Sequence, residues 1–138
     1  MKRIPRLLAA TTVAAVIACS DSFKPTTENV VGDYSLQTLM TTDTSGTTDW
    51  VAAGSTLTLR LESNGTTIGH FFAPGAGEGG GDFNADMAGT WSLSGGQITF
   101  TQTADTFVRD MDFIAGKGRL SGDQTFSFNT IATRVRMS

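Results

Sequence analysis

Apolar and polar residues alternate along most of the chain after residue 30, and a period of two is typical of strands with one face on a core. The clearest segment is 57–61, where leucine occupies every second position. An Asn-Gly pair at 64–65 follows it and supplies the positive-φ residues of a turn, so we expect 66–73 to return as an antiparallel strand. The same logic predicts a second hairpin from 91–93 and 98–100.

Weaker signals predict the other elements. A first strand starts at Gly32 and runs to about residue 42, and a polar connection over 42–54 follows it. Residues 75–86 form a glycine-rich loop in this interpretation. The remaining elements are strands at 107–113, at 119–121 and from 126 onward, with turns at 116–118 and 122–123 and a bulge near Asn129 or Thr130 where the apolar phase changes.

These elements amount to about eight strands joined by short turns. Threonine, glycine, phenylalanine and serine are abundant, and no helical stripe follows Cys19. We therefore predict an all-β, antiparallel, up-and-down barrel after an N-terminal signal helix, because closing such a meander removes its unpaired edges.

The N-terminal segment has a different pattern. Lys2, Arg3 and Arg6 precede an apolar run over 7–18, which ends at Cys19. A helix needs about 20 apolar residues to cross a membrane, so this shorter run is predicted to be an export signal that is cut off.

The end of that segment, Val16-Ile17-Ala18-Cys19, resembles the lipobox of bacterial lipoproteins. The resemblance implies a signal peptide at 1–18, a lipidated Cys19 that anchors the protein to the membrane through acyl chains, and a flexible tether over 19–29. Ser20 after the cysteine favours the outer membrane, with the domain of residues 30–138 facing the periplasm or the cell surface. An ordinary secretory leader with a chance cysteine after the cut is the alternative.

Charge and cysteine usage narrow the function classes. The net charge is −3, and the leader holds three of the ten basic residues and none of the thirteen acidic ones, so the mature chain carries −6. Such an acidic surface argues against nucleic acid as a partner. If Cys19, the single cysteine, carries lipid, no disulfide braces the domain. The 120 residues that remain after removal of 18 fit one domain.

Several short motifs of the mature chain resemble the lipocalin-like domains of bacterial lipoproteins. They are a first-strand Gly32-Asp33-Tyr34, a Leu-x-Leu strand before a hairpin at 57–65, and a Gly-Thr-Trp-x-Leu strand at 89–93. The resemblance implies an eight-stranded barrel, closed or half-open, with one cup-shaped interior. It also implies that a C-terminal arginine, Arg134 or Arg136, packs against the first-strand aromatic residue.

His70 is the sole histidine, and the register of the first hairpin decides which face of the sheet its side chain is on. A two-residue turn at 64–65 pairs Leu59 with His70 and places the imidazole on the inner face, whereas a three-residue loop shifts the register and turns it to solvent. No second histidine, serine elbow or cysteine is available to act with it, so we expect no catalytic role.

Arg109 interrupts an apolar row on the predicted strand at 107–113. Facing inward, it would need a partner and could meet an anionic head group; at a bulge or the barrel rim it would reach water. Asp110 and Asp112 are expected to face outward.

Two motifs in the glycine-rich loop are incomplete. Asp-x-Asn-x-Asp at 82–86 has the spacing that opens a calcium loop, but Met87 and Leu93 stand where glycine and glutamate are needed, so we predict no metal site. The glycines at 75–80 precede no helix that could hold a phosphate. We expect a mobile loop, with a lid over the barrel mouth as the alternative.

The sequence therefore favours a lipid-anchored cell-envelope protein that binds a small apolar molecule without catalysis or cofactor. The predicted ligand-binding residues, which line the barrel, are His70, Trp91, Phe100, Arg109, Met111 and Phe113, and Leu93, Ile98, Phe107 and Phe126 are expected beside them. The alternatives are a structural or protein-interaction module with a side-chain-filled barrel and, third, an envelope enzyme.

Overall fold

The computed structural model describes residues 22–138, and strands dominate that range. Eleven strands form one antiparallel sheet that curls into a half-barrel. The strands are β1 Gly32–Ser35, β2 Leu39–Asp43, β3 Gly46–Asp49, β4 Thr56–Leu61, β5 Thr66–Ala73, β6 Phe83–Asp86, β7 Gly89–Ser94, β8 Gln97–Gln102, β9 Phe113–Gly116, β10 Arg119–Phe128 and β11 Ile131–Met137. Two single-turn helices, α1 Thr27–Val30 and α2 Phe107–Asp110, and a 3-10 turn at Glu78–Gly80 complete the described elements.

The order of strands in the sheet is β1-β4-β5-β7-β8-β9-β10-β11-β2-β3, and β6 pairs with β5 beside this path. Although β1 and β2 are far apart in that order, only residues 36–38 separate them in the chain. The Leu36 N–H donates to the Leu57 carbonyl at 2.9 Å, while Gln37 and Thr38 donate to the Ser138 carbonyl at 2.8 and 3.1 Å. One short segment therefore bonds to both arms of the sheet.

The apolar residues that alternate in the sequence lie on one face of the sheet, and that face is buried. In β4, Leu57, Leu59 and Leu61 are buried and the residues between them are exposed. The same inward phase continues through the other strands and builds one apolar core. Its buried members are Val30, Leu39, Leu57, Leu59, Leu61, Phe71, Ala73, Ala85, Met87, Trp91, Ile98, Phe100, Val108, Met111, Phe113, Ala115, Leu120, Val135 and Met137.

The all-β, antiparallel prediction is confirmed, and so are the two hairpins with the clearest alternation, β4–β5 and β7–β8. The strand count of about eight is wrong, because two predicted loops contain ladder hydrogen bonds and one predicted strand is divided in two. Residues 46–49 pair with β2, Phe83–Asp86 pair with β5, and the first strand splits at 36–38.

The predicted strand at 107–113 is also wrong. Residues 107–110 form the helical turn α2, and β9 begins only at Phe113. A spacing of four residues, as between Phe107 and Met111, keeps side chains on one face in a strand and also in a helical turn, so the pattern did not separate the two.

The predicted turn at 122–123 is replaced by a continuous strand, β10. Gly122 is needed for close packing, because a Cβ there would lie 2.2 Å from the Met111 Sδ. The predicted bulge near Asn129 is instead a two-residue hairpin turn, in which Asn129 and Thr130 have φ of 48° and 72°.

The segment before β1 contacts the domain. Phe23 is half-buried against the core, Thr26 caps α1, and the Tyr34 hydroxyl donates to the Val30 carbonyl at 2.7 Å. The predicted signal peptide and Cys19 lie outside the described residues. Within residues 22–138, no helix has the length and apolarity needed to cross a bilayer.

Candidate functional site: an apolar cavity in the half-barrel

Two of the cavities among residues 22–138 are lined largely by side chains of the apolar core, and these two share no lining residue. The smaller one, of about 290 Å³, lies among β1, β4 and the end of β11. The larger one, of about 470 Å³, lies where the inner faces of β2, β5 and β11 meet α2. They are named below the smaller cavity and the larger cavity.

Strand periodicity supplies most of the larger cavity's wall. Leu39, Thr41 and Asp43 alternate along β2, and β11 contributes alternate residues in the same way. The loops add the rest of the wall. Its full lining is Leu39, Thr41, Asp43, Trp50, Phe71, Ala73, Ala76, Phe83, Asp105, Thr106, Phe107, Phe128, Asn129, Ile131, Thr133 and Val135.

A row of contacting phenylalanines forms one side of the larger cavity. Phe71 packs edge to face on Phe83 and on Phe107, each with ring centroids 5.6 Å apart. Phe126 continues the row: its ring centroid lies 6.4 Å from that of Phe107 and 5.9 Å from that of Phe128. Such pairs add to the stabilisation from burial and hold the rings in place, so the wall is preformed.

Trp50 is a further aromatic part of the same wall. Its indole N–H donates to the Thr41 hydroxyl at 2.9 Å, which satisfies the polar end of the ring and leaves its apolar body on the cavity. Trp50 sits just after β3, where the chain turns back towards β4.

Two carboxylates border the larger cavity. Asp43 accepts hydrogen bonds from the Ser45 N–H and hydroxyl at 2.7 and 2.6 Å, and these hydrogen bonds hold the pKa of Asp43 below its usual value. Asp105 accepts from the Arg109 guanidinium at 2.7 Å. The same guanidinium bonds Asp110 at 2.9 Å, and that hydrogen bond is the main cause of the lowered pKa of Asp110.

The structure places the predicted His70 outside the barrel. Leu57 pairs with Phe71 and Thr58 with His70, so the three-residue loop over 63–65 sets the register. The imidazole is exposed and lies 3.2 Å from the Asn84 amide oxygen. The inward alternative for His70 is therefore wrong.

Arg109 is not on a strand face but on α2, where its side chain is 33% exposed and pairs with aspartates. The alternative in which Arg109 faces inward from a strand is therefore wrong, because the guanidinium lies on a helical turn and pairs with Asp105 and Asp110. The four other predicted residues are buried. Phe100 and Phe113 line the smaller cavity, whereas Trp91 and Met111 are in the core and line neither cavity.

The aspartates of the 82–86 motif bond to the protein's own backbone. Asp82 accepts from the Gly75 N–H at 3.1 Å and Asp86 from the Ala88 N–H at 2.9 Å. In β6 alternate residues share a face of a strand and do not wrap around a common point. Residues 22–138 contain no group of three His, Cys, Asp or Glu side chains that could hold a metal ion.

Sequence reasoning missed most of the larger cavity's wall, including Trp50, Phe71, Phe83, Phe128 and Ile131. The last two are equally spaced about the Asn129–Thr130 turn and are 43% and 47% exposed. A two-residue turn in place of the expected bulge would have put both on the inner face, which is the signal that could have found them.

No protein-family model, characterised protein or solved structure matches this chain.

Proposed function

We propose that the protein binds a small apolar molecule in the larger cavity and catalyses no reaction. The observation that carries this proposal is a cavity of about 470 Å³ walled by Trp50 and contacting phenylalanines. Small-molecule sites are typically concave, mostly apolar and about 300–1,000 Å³ in volume. Binding of an apolar molecule inside the curled sheet is also what the lipocalin-like resemblance implies for a half-open barrel.

The ligand would be small. Binding sites bury most of a ligand's surface, so a wall of packed rings favours a molecule that fills the cavity's volume of about 470 Å³. Exposed Phe128 and Ile131 stand beside this space and give an apolar ligand a route of entry.

We test this proposal with a neutral fluorescent apolar probe, N-phenyl-1-naphthylamine, and protein expressed from the full chain carrying Cys19→Ala, so that no acyl chain competes. Ala76→Trp adds a large side chain to the cavity wall from an exposed loop position. Ala132→Trp makes the same change on the exposed face of β11 as a control.

We expect saturable binding that Ala76→Trp weakens about tenfold, or 1.4 kcal/mol, and that Ala132→Trp leaves unchanged. Far-UV circular dichroism checks that both variants fold. Absence of saturable binding, or equal loss in the two variants, would overturn the proposal.

We also propose that acyl chains on Cys19 hold the protein to the cell envelope, most consistently the outer membrane. The support is the lipobox-like sequence at 16–19 together with the basic and apolar leader. In cells given labelled palmitate, we expect the label and the membrane association to be lost in Cys19→Ala. A variant that stays membrane-bound and equally labelled contradicts the anchor.

A protein-interaction module is the second candidate. It is favoured by four large apolar side chains that are strongly exposed, namely Ile68, Ile114, Phe128 and Ile131. Native mass spectrometry of the protein purified from its host separates the candidates, because a retained small molecule supports the first and a stoichiometric protein partner the second.

A further inference from the structure

We propose that the larger cavity selects apolar molecules that carry a cationic amine and rejects those that carry a carboxylate. This inference rests on the proposed function, since it names the chemical class of the ligand in that same cavity.

The charged residues that line the larger cavity are all negative. Of the sixteen residues that line the larger cavity, only Asp43 and Asp105 are charged, and no lysine, arginine or histidine is among them. An apolar guest with an anionic head would meet only like charge on the wall, whereas a cationic head would meet opposite charge.

Asp43 is the first of the two carboxylates. It shares the inner face of β2 with Leu39 and Thr41. Its hydrogen-bond donors are the neutral Ser45 hydroxyl and N–H, and it makes no ion pair with any residue in the range 22–138. The lowered pKa of Asp43 keeps it ionised at neutral pH. Because Asp43 has no ion pair among these residues, no neighbouring cation compensates this negative charge.

Asp105 is the second carboxylate, and its charge is only partly compensated. The Arg109 guanidinium pairs with Asp105 and with Asp110, so two negative groups share one positive group. The α2 end of the larger cavity therefore keeps a net negative charge.

Thr106 adds an unpartnered polar group to the same wall. It lines the larger cavity, it is 5% exposed, and its hydroxyl oxygen has no hydrogen-bond partner among the described residues. A buried hydroxyl without a partner is costly, and a donor in the cavity would reach this oxygen only after the Thr106 side chain rotated towards it.

The test compares three molecules with the same twelve-carbon chain: dodecylamine, dodecanol and dodecanoate. Each competes with bound N-phenyl-1-naphthylamine at neutral pH and moderate salt, below its micelle concentration, on protein from the full chain carrying Cys19→Ala. We expect dodecylamine to displace the probe at a concentration at least about tenfold lower than dodecanoate needs, with dodecanol between them.

Two matched variants test whether the charge of Asp43 causes the preference for the amine. Asp43→Asn should reduce the preference for the amine over the carboxylate several-fold and leave dodecanol unchanged. Asp112→Asn removes the same charge from an exposed residue that does not line the cavity, and it should leave the preference intact.

The outcomes separate the two proposals. If the probe binds but the three molecules displace it equally, or dodecanoate displaces it best, amine selection is overturned and the apolar site stands. An unchanged preference in Asp43→Asn also overturns it. If the neutral probe does not bind, the proposed function fails, and amine selection fails with it.

Discussion

Arg134 and Asp123 form a two-pronged ion pair across β10 and β11. The Arg134 Nε and Nη2 groups donate to the two carboxylate oxygens at 2.7 and 2.5 Å. The family resemblance implied packing of such an arginine against Tyr34, but the guanidinium is engaged on the exposed face of the sheet. These hydrogen bonds, and then the charges of Arg134 and Arg136, hold the pKa of Asp123 below its usual value.

That shift predicts a pH dependence of stability. A carboxyl whose pKa is lower in the folded state stabilises the fold above its unfolded pKa of about 4, and this contribution is lost as pH falls through the folded value. Asp123→Asn should therefore lower the urea midpoint at pH 7, and its difference from wild type should shrink as the pH falls below about 4.

Asp112→Asn is the matched control, since Asp112 forms no ion pair within residues 22–138. Its midpoint should stay closer to the wild-type value at pH 7. Because the Asp123 pair is exposed, molar salt should narrow the difference between Asp123→Asn and wild type. A difference that does not shrink at all as the pH is lowered below about 4 would contradict the ion pair as its cause.

Turns set the register of the elements. In the β4–β5 loop, the Asn64 side-chain oxygen accepts from the Thr66 N–H and hydroxyl at 3.0 and 2.7 Å, and Gly65 has φ of 84°. These local bonds stabilise a three-residue loop, and the resulting one-residue shift is what turns His70 outward.

The β10–β11 turn is predicted to be strained at one residue. Thr130 has φ of 72°, a backbone conformation that is disfavoured for a β-branched residue and favourable for glycine. Thr130→Gly creates the Asn-Gly pair preferred in such turns, and we expect it to stabilise the protein by about 1 kcal/mol.

Thermal unfolding measures this effect. Thr125→Gly in the same hairpin is the control, because Thr125 lies within β10 and is exposed, and glycine there should destabilise. Loss of stability in both variants would show that Thr130 is not strained.

At the scale of the whole molecule, residues 36–38 join both arms of the half-barrel. Because β1 pairs with β4, β2 pairs with β11 and residues 36–38 join the two strands, local opening of either arm breaks bonds of the same short segment. We expect the sheet to unfold as one cooperative unit.

Two tryptophans report on different parts of the sheet. Trp50 follows β3 at the larger cavity, and Trp91 is buried in β7 with its indole N–H on the Glu62 carbonyl. In Trp50→Phe and in Trp91→Phe, the remaining tryptophan's fluorescence and the far-UV circular dichroism should give the same urea midpoint. Separate midpoints within one variant would reveal independent arms.

The sequence by itself determined the all-β class and the strands β4, β7 and β8, in which apolar and polar residues strictly alternate, and the Asn64-Gly65 turn determined that β5 returns antiparallel. Burial of every second side chain is a local property, and glycine-containing turns mark where each strand ends. Only the tertiary structure decided the rest. Whether Phe107 begins a strand or a helical turn depends on what packs above it, and Gly122 is required by Met111, which lies eleven positions earlier in the chain. The larger cavity likewise joins residues from both ends of the domain, from Leu39 to Val135, which no local pattern brings together.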